Sequence, residues 1–592
     1  MFELMKNSLN DFKDGIRTYL VFEVIYKMIT SFIFIPLITY IFHLIIRVLG
    51  SNSLLNGQVF KIGLNYKAIP GLILMLFLST IAVFIEFGTL VIISQKKYFK
   101  KDISISDAFF TSIKKVPKIF SYGLLQLMIL FLLIMPFINA PLSFRLTENM
   151  TIPKFVMDEI YKSNILSILY IIGIILVIYV FLRWVFTIHS TIIEGKKTKN
   201  AIKNSLEMTK NRKIKILFGL VLLNIIFFLI ILLITFSMES LISLVISLLK
   251  LDIETRFMKI YLYRFMGGIV FVLTLLITPM NTIFLTRSYY KIKKNCNIEI
   301  VDNLGICSNE ILNKIEESIS KLLVRKKKLF ILLVFIALII FSAINYSITS
   351  QTIHLGRDIK IAGHRGDSID FPENSIVGIM SAVEKGADFA EIDVQLTKDG
   401  IVVLNHDKTF KRVAGISSSA KHLNYEDLVN FDIGSRVSKR YKEEKIPKLE
   451  DVLQETKGKI KLIIDLKSYD SNKELVKAVV NLIEKYDMVE DCYIQSLNYE
   501  ELKEVRRLNK NIKIGQIIIV SAGDITSLDV DFYTIEQTIL SNKFVKSLHE
   551  ANKEVWVWTV NEEKDINEVL QYDINGIITD YPEKIKNIIK LK

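Results

Sequence analysis

The chain has 592 residues, 51% of them hydrophobic, a mean hydropathy of +0.38, and a formal charge of +14 from 75 Lys and Arg against 61 Asp and Glu. Such a length exceeds one hydrophobic core and calls for several domains, and such a hydropathy excludes an ordinary soluble protein. The basic excess lies in short loops between apolar stretches, so it reads as membrane topology and not as a nucleic-acid surface; the three cysteines, Cys296, Cys307 and Cys492, fit neither a disulfide framework nor a zinc site.

Residues 1–28 mix Asp11, Lys13, Asp14 and Arg17 with apolar positions, and no small-residue cleavage site follows, so a cleaved signal peptide is not expected. Seven apolar stretches of bilayer-crossing length come next: 29–48, 69–94, 119–142, 165–189, 216–236, 266–286 and 329–348. Lys96, Lys97, Lys100, Lys101, Lys114, Lys115 and Lys118 crowd one loop, residues 196–215 a second, and Lys291, Lys293, Lys294 and 325–328 bracket a third. The alternate loops, 144–164 and 251–264, are nearly balanced. Short basic loops stay in the cytoplasm, so the amino terminus is expected inside and everything after the seventh span outside, on the wall side of the plasma membrane in a walled cell. The expected order is an all-α polytopic membrane domain of six transmembrane helices over 1–290, a cytoplasmic linker 291–328, the seventh helix 329–348, a connector 349–358 and a barrel domain 359–592. Glu86 and Arg183 are charges in or near spans, where they are costly unless paired; Arg183 reads as snorkelling, and Glu86, deeper, as a candidate mark of a ligand path.

Beyond the connector the pattern becomes α/β. Nine strand candidates, 359–363, 388–396, 401–405, 460–466, 491–495, 512–519, 530–535, 554–560 and 576–579, compete for the eight places of a TIM barrel. Lys398-Asp399-Gly400 allows only a tight turn, so 401–405 is expected to return antiparallel instead of serving as a stave. The polar stretch 410–445 is too long for an ordinary loop and reads as an excursion over the mouth, with Arg412, Arg436 and Tyr441 as candidate selectors of substrate.

The chemistry-bearing residues fall at strand ends. His364-Arg365-Gly366 closes the first run, Glu391 and Asp393 end the second, and His406-Asp407 ends the third. Side chains at the carboxyl ends of successive parallel strands converge on one face of a barrel. Glu391 and Asp393, one residue apart, point the same way from a strand, and two hard oxygen donors suit Ca²⁺ or Mg²⁺ better than zinc.

The order HRG, PEN-S, EID, TKDG and HD closely resembles the glycerophosphodiester phosphodiesterases. Downstream, Asp465-Leu466-Lys467 resembles that family's E-x-K strand, Gln495-Ser496 its Q-S strand, Trp558-Thr559-Val560-Asn561 its W-T-V-N, and Gly576-Ile577-Ile578-Thr579-Asp580 its close. The likeness spans 359 to about 589, and residues 1–294 resemble, more weakly, the membrane domain often fused ahead of such enzymes. It implies His364 and His406 as the general acid and base pair, Arg365 and Lys467 as phosphate ligands, and Glu391, Asp393 and Asp465 as ligands of one divalent cation. The family usually has Glu where Asp465 stands; the shorter arm implies a water-mediated contact or a different preferred ion, and a related branch, the sphingomyelinase D-like enzymes, has Asp there.

The activity so implied is cleavage of glycerophosphodiesters to glycerol phosphate and an alcohol on the outer face of the membrane, with Phe371 and Trp558 as an apolar wall for the glycerol. The nucleophile is water or the neighbouring glycerol hydroxyl, the latter favoured by proximity. Teichoic acid of the polyglycerol-phosphate type is a candidate polymeric substrate. The connector enters at the start of the first strand, opposite the mouth, so a soluble or wall-bound diester is expected ahead of an intact phospholipid. Two other readings stand beside this one: a phospholipase D-like enzyme on lipid headgroups, and a transporter or sensor whose barrel binds ligand.

Overall fold

The computed structural model describes residues 1–50, 53–56, 58, 62–119, 160, 161, 163–248, 270, 273–325, 359–469 and 472–590. They form two compact units, Met1–Leu49 with Gly63–Ile348, and Gly50–Ile62 with Thr349–Lys592.

In the first unit the helix Phe2–Ile29 continues through a π turn, Thr30–Phe34, into Ile35–Val48. Pro36 lacks the N–H that a regular ladder needs, which accounts for the widened turn before it. Four helical stretches are long and apolar enough to cross a membrane: Phe2–Val48, Ile69–Tyr98, Asn164–Ile193 and Lys213–Met238. They carry four of the seven expected spans. The span 329–348, nearly all of 119–142, the connector 349–358 and loop 251–264 lie outside the described residues; of 266–286, the helix Ile277–Asn295 is described at its carboxyl half.

Both charges singled out in the spans have partners. Glu86 Oε1 lies 2.8 Å from Lys27 Nζ, so it is held by an ion pair and gives no sign of a ligand path. Arg183 Nη1 donates to the Leu206 carbonyl at 2.8 Å and to Thr209 Oγ1 at 3.0 Å, anchoring it to the next helix. The linker helix Glu310–Arg325 is likewise docked: Glu316 accepts from the backbone N–H groups of Ile105 and Ser106 at 2.8 and 3.1 Å. A carboxylate there satisfies the first orphan donors of the helix Ile105–Lys115.

The second unit is a closed barrel with an added hairpin. Its strands, in chain order, are β1 (Ser53–Leu55), β2 (Lys360–His364), β3 (Phe389–Leu396), β4 (Val402–Leu404), β5 (Lys461–Leu466), β6 (Cys492–Ser496), β7 (Lys513–Ile518), β8 (Ser521–Gly523), β9 (Phe532–Glu536), β10 (Glu554–Trp558) and β11 (Gly576–Thr579). Eight run parallel in the order β2-β3-β5-β6-β7-β9-β10-β11, and β11 closes on β2. β4 pairs antiparallel with β3, Leu404 opposite Val394, so it is the returning strand that the short turn required. Between the strands, helices cover the sheet, and Ile392, Ile464, Ile494 and Ile514 are wholly buried against them. Inside the barrel Ala362, Phe389, Ile463, Phe532, Trp556 and Ile578 form a plug. Trp556 belongs to that plug, and Gly576 makes room for it: a Cβ there would sit 2.2 Å from the indole ring.

The part that sequence patterning did not signal is β1. This three-residue strand precedes the barrel by some 300 residues, yet pairs antiparallel with β8, Ser53 opposite Gly523 and Leu55 opposite Ser521. Leu55 enters the barrel's outer core. Asn56, at φ +47°, closes the contact. Its Nδ2 donates to the carbonyls of Ile517 at 2.8 Å and Leu497 at 3.3 Å, and its Oδ1 accepts from the N–H of Ile519 at 2.8 Å. Removing a buried amide leaves those backbone groups unpaired, so Asn56→Ala is expected to cost about 2 kcal/mol and lower the melting temperature of the barrel in the full-length protein by roughly 5 °C; an unchanged melt would contradict the clamp.

Candidate active site

The HRG turn is built by backbone conformation. Arg365 and Gly366 both adopt positive φ, +57° and +83°, and a Cβ at Gly366 would lie 2.8 Å from the backbone of Gly378. Only glycine fits that close approach, and the turn places His364 at the end of β2 with Arg365 beside it. Register does the rest. His364 lies opposite Glu391, Asp393 opposite Asp465, and Asp465 opposite Gln495, so two successive rungs of neighbouring strands carry the acids to one side of the mouth.

The three carboxylates Glu391, Asp393 and Asp465 are buried, and one oxygen of each lies within 4.8 Å of the others. Burial pushes the Glu391 carboxyl well above the usual range, and the neighbouring Asp393 and Asp465 charges push it further. Burial also raises Asp465. For Asp393 burial is outweighed by Lys467, Arg365, His406 and a hydrogen bond from Asn374, which hold it well below the carboxylate range. Three acids crowded out of water repel one another, and a hard cation is the partner that relieves them. The donor set therefore fits a divalent ion. Lys467 Nζ offsets part of that charge, 2.6 Å from Asp465 and 3.1 Å from Asp393; the acids around it outweigh burial and raise its pKa.

Each histidine is oriented by an aspartate. His364 Nδ1 lies 2.6 Å from Asp580 Oδ1, while Asn561 and Ser368 donate to the same carboxylate at 2.6 and 3.1 Å. Burial opposes the Asp580 charge, but His364 and these donors bring its pKa down to about 2. His406 Nδ1 lies 2.8 Å from Asp407 Oδ1. The hydrogen bond with His406, aided by Arg412, holds Asp407 far below its ordinary value. Such pairs leave the other ring nitrogen for the substrate.

Arg365 is held from both sides, with Nη1 donating to Glu373 at 3.0 Å and Nε 3.4 Å from Asp393. Glu373 also binds Arg412, which in turn binds Asp407 at 2.8 Å. A continuous chain of charges thus runs from Arg365 to His406. Arg412, a candidate selector or solvated side chain from sequence, stays exposed while linking this chain, and Arg436 bonds to the Lys411 and Arg412 carbonyls. Tyr441 packs against Phe371 with the rings tilted, centroids 5.2 Å apart. Trp558 is half-buried, and its buried Nε1 has no hydrogen-bond partner among the described residues. Glu373, Asn374, Gln495 and Asp580 stand in sequence motifs without a role; Glu373 pairs with Arg365 inside the loop after β2, while Asn374, Gln495 and Asp580 bond to Asp393, Glu391 and His364 from other strands, which no local pattern shows.

Comparison with known proteins covers both units. Residues 5–346 match the membrane domain of glycerophosphoryl diester phosphodiesterase, and residues 364–584 match the glycerophosphoryl diester phosphodiesterase family. The chain belongs to this family. It is 31% identical over 242 residues to a glycerophosphodiester phosphodiesterase of Caldanaerobacter subterraneus subspecies tengcongensis, covering 39% of this chain and 97% of that one. It is 28% identical over 241 residues to a glycerophosphodiester phosphodiesterase of Bacillus altitudinis, again 39% of this chain and 97% of the other. Among solved structures, an Oleispira antarctica phosphodiesterase in complex with the product sn-glycerol-3-phosphate is similar at 26% identity and a TM-score of 0.37, over 39% of this chain and 96% of that one. This glycerophosphodiester phosphodiesterase is therefore a phosphoric diester hydrolase with a membrane domain ahead of its barrel.

Proposed function

We propose that this enzyme is a divalent-metal-dependent phosphodiesterase acting on the outer face of the plasma membrane, where it releases glycerol phosphate and an alcohol from glycerophosphodiesters. The observation that carries the reading is the convergence at one barrel mouth of two aspartate-oriented histidines, two half-buried cations and a three-carboxylate cluster. A phosphodiester is anionic and repels nucleophiles, so its non-bridging oxygens must be neutralised and its leaving alkoxide protonated.

Arg365 and Lys467 bind those oxygens; both remain charged because the surrounding acids outweigh their burial. Glu391, Asp393 and Asp465 would hold Ca²⁺ or Mg²⁺, which as a Lewis acid draws charge from the phosphoryl group. One histidine takes the proton of the attacking oxygen as the P–O bond forms, and the other protonates the departing oxygen as its bond breaks. The attacking oxygen is water or the adjacent glycerol hydroxyl, which gives a cyclic phosphate hydrolysed in turn. Proximity favours the hydroxyl. Phe371 and Trp558 line the glycerol side, the free indole N–H offering a donor to a substrate oxygen.

Outer-face action is supported by loop charge and by β1. Because residues 50–62 belong with the barrel, an even number of crossings must separate residue 62 from residue 359, as six spans after the first provide. The test is glycerol phosphate release from glycerophosphocholine by the full-length protein. Release that is lost in EDTA and restored by Ca²⁺ or Mg²⁺ is expected; EDTA-resistant turnover would remove the metal from the reading.

A further inference from the structure

The first unit holds a cavity that the phosphodiester chemistry does not use. It measures about 880 Å³, inside the range of roughly 300–1,000 Å³ that small-molecule sites occupy. Its walls come from residues 80–91 of the helix Ile69–Tyr98, 178–189 of the stretch Asn164–Ile193, 217–228 of the helix Lys213–Leu248 and 278–285 of the helix Ile277–Asn295. Successive spans run in opposite directions. Residues 80–91, 178–189 and 278–285 close spans of one direction, while 217–228 opens one of the other, so all four stretches lie at one end of the bundle. About twelve helical residues rise about 18 Å, close to half of a hydrocarbon core of about 30 Å. The cavity therefore has the height of one leaflet's acyl chains.

Its lining is apolar, and no Asp, Glu, Lys or Arg belongs to it. Ile178 and Phe181 on one helix and Val221, Ile225 and Phe228 on another both line it and stand exposed. On apolar helices of spanning length such side chains meet lipid, so the cavity adjoins the bilayer on that flank. The polar atoms of the lining are few. Thr80 and Thr282 turn their hydroxyls back to the carbonyls of Leu76 and Thr278, at 2.8 and 2.9 Å. Asn224 and Asn281 face each other across two helices, with reciprocal amide contacts of 3.1 and 3.3 Å, and Asn224 Nδ2 also donates to the Leu220 carbonyl at 2.8 Å. Asn281 Nδ2 carries two hydrogens, and the second has no acceptor among the described residues. Two asparagines inside apolar spans serve either as glue between helices or as a polar contact for an occupant of the cavity.

We propose that this cavity is a lipid site, which takes one long-chain neutral lipid of the bilayer with its chain along the apolar wall and a hydroxyl or ester oxygen at the Asn224–Asn281 pair. The lining holds no charged side chain to pair with a phosphate or a carboxylate, and burying an unpaired charge costs far more than burying a hydroxyl that finds an amide. That selects a neutral head. The site lies wholly within the membrane domain and does not depend on the phosphodiesterase reading.

The test uses the full-length protein in phosphatidylcholine nanodiscs, with monooleoylglycerol carrying a photoreactive diazirine in its chain as the probe. Expected is labelling concentrated on residues 178–189 and 217–228 and competed by unlabelled monooleoylglycerol. Oleyl sulfate, an anion with the same chain length that is no phosphodiester, should compete at least about tenfold more weakly. Val83→Trp puts an indole into the cavity from the helix Ile69–Tyr98 and should lower the labelling by at least about tenfold. Because that change also strains the packing, a second variant, Asn224→Leu with Asn281→Leu, decides separately. Replacing both partners of a buried hydrogen bond by apolar groups of similar shape is nearly neutral for stability, so its melting temperature should hold while its affinity for monooleoylglycerol falls about tenfold. Wild-type affinity in that double variant would leave the asparagines as glue between helices and overturn the proposal. Labelling spread over all the spans and left uncompeted would show bulk lipid only, and equal competition by oleyl sulfate a site indifferent to charge; either result would overturn it as well.

Discussion

His406→Ala is expected to lower kcat for glycerophosphocholine by about a thousandfold, in the range that general acid–base catalysis supplies, while KM stays within a few-fold. The imidazole is fixed by Asp407 at Nδ1, and Asp407 is fixed by Arg412, so the ring is aimed without a hydrogen bond to the carboxylate cluster or to the two cations. Its backbone carbonyl accepts from Tyr469 Oη at 2.8 Å, a contact that alanine keeps. The half-buried side chain leaves little cavity, and the melting temperature should hold. A glycerol phosphate ester of p-nitrophenol separates the roles: a good leaving group needs no proton, so near-full rescue assigns His406 as the acid, and undiminished loss assigns it as the base. Retention of more than about a tenth of wild-type turnover on glycerophosphocholine would exclude either role.

Asp393→Asn should be as severe for a different reason. Asp393 is the hub of the site: it receives Asn374 Nδ2 at 2.9 Å, faces Arg365 at 3.4 Å and Lys467 at 3.1 Å, and belongs to the carboxylate cluster. An amide of the same shape removes the charge that keeps both cations in place and deprives a divalent ion of one donor. We expect kcat/KM to fall by about a thousandfold, some 4 kcal/mol of transition-state stabilisation. Ca²⁺ or Mg²⁺ affinity, measured by calorimetry on the purified protein, should fall by at least about tenfold. Loss of activity with metal affinity untouched would place Asp393 with the phosphate-binding cations and not among the metal ligands.

Much of this was legible before any coordinates. Apolar length marks a span whatever surrounds it, because the bilayer sets the requirement segment by segment. The apolar runs at 388–396 and 460–466 mark β3 and β5 to within a residue or two, since staves buried on both faces read as short hydrophobic stretches, and the tight KDG turn sufficed to make β4 antiparallel. His364, Arg365, Glu391, Asp393 and His406 stand out because strand ends in a parallel barrel share a face; Asp465 and Lys467 stand out only through the family resemblance.

What the sequence by itself could not determine is which of those residues hold one another. His364 with Asp580, Asn374 with Asp393, and Glu391 with Gln495 are contacts made between the ends of different strands, decided by register and closure of the barrel. Arg412 read as a substrate selector or as solvated surface; it stays exposed, and the fold ties its guanidinium to Glu373 and Asp407. The plainest case is Asn56, bonded to Ile517 across 461 positions. Ser53-Leu54-Leu55 is too short to carry a period, and its partner is an equally short run after β7, so neither has a local signature. Only closing the chain upon itself satisfies the backbone groups on both, and that satisfaction, not any pattern in either segment, makes β1 a part of the barrel.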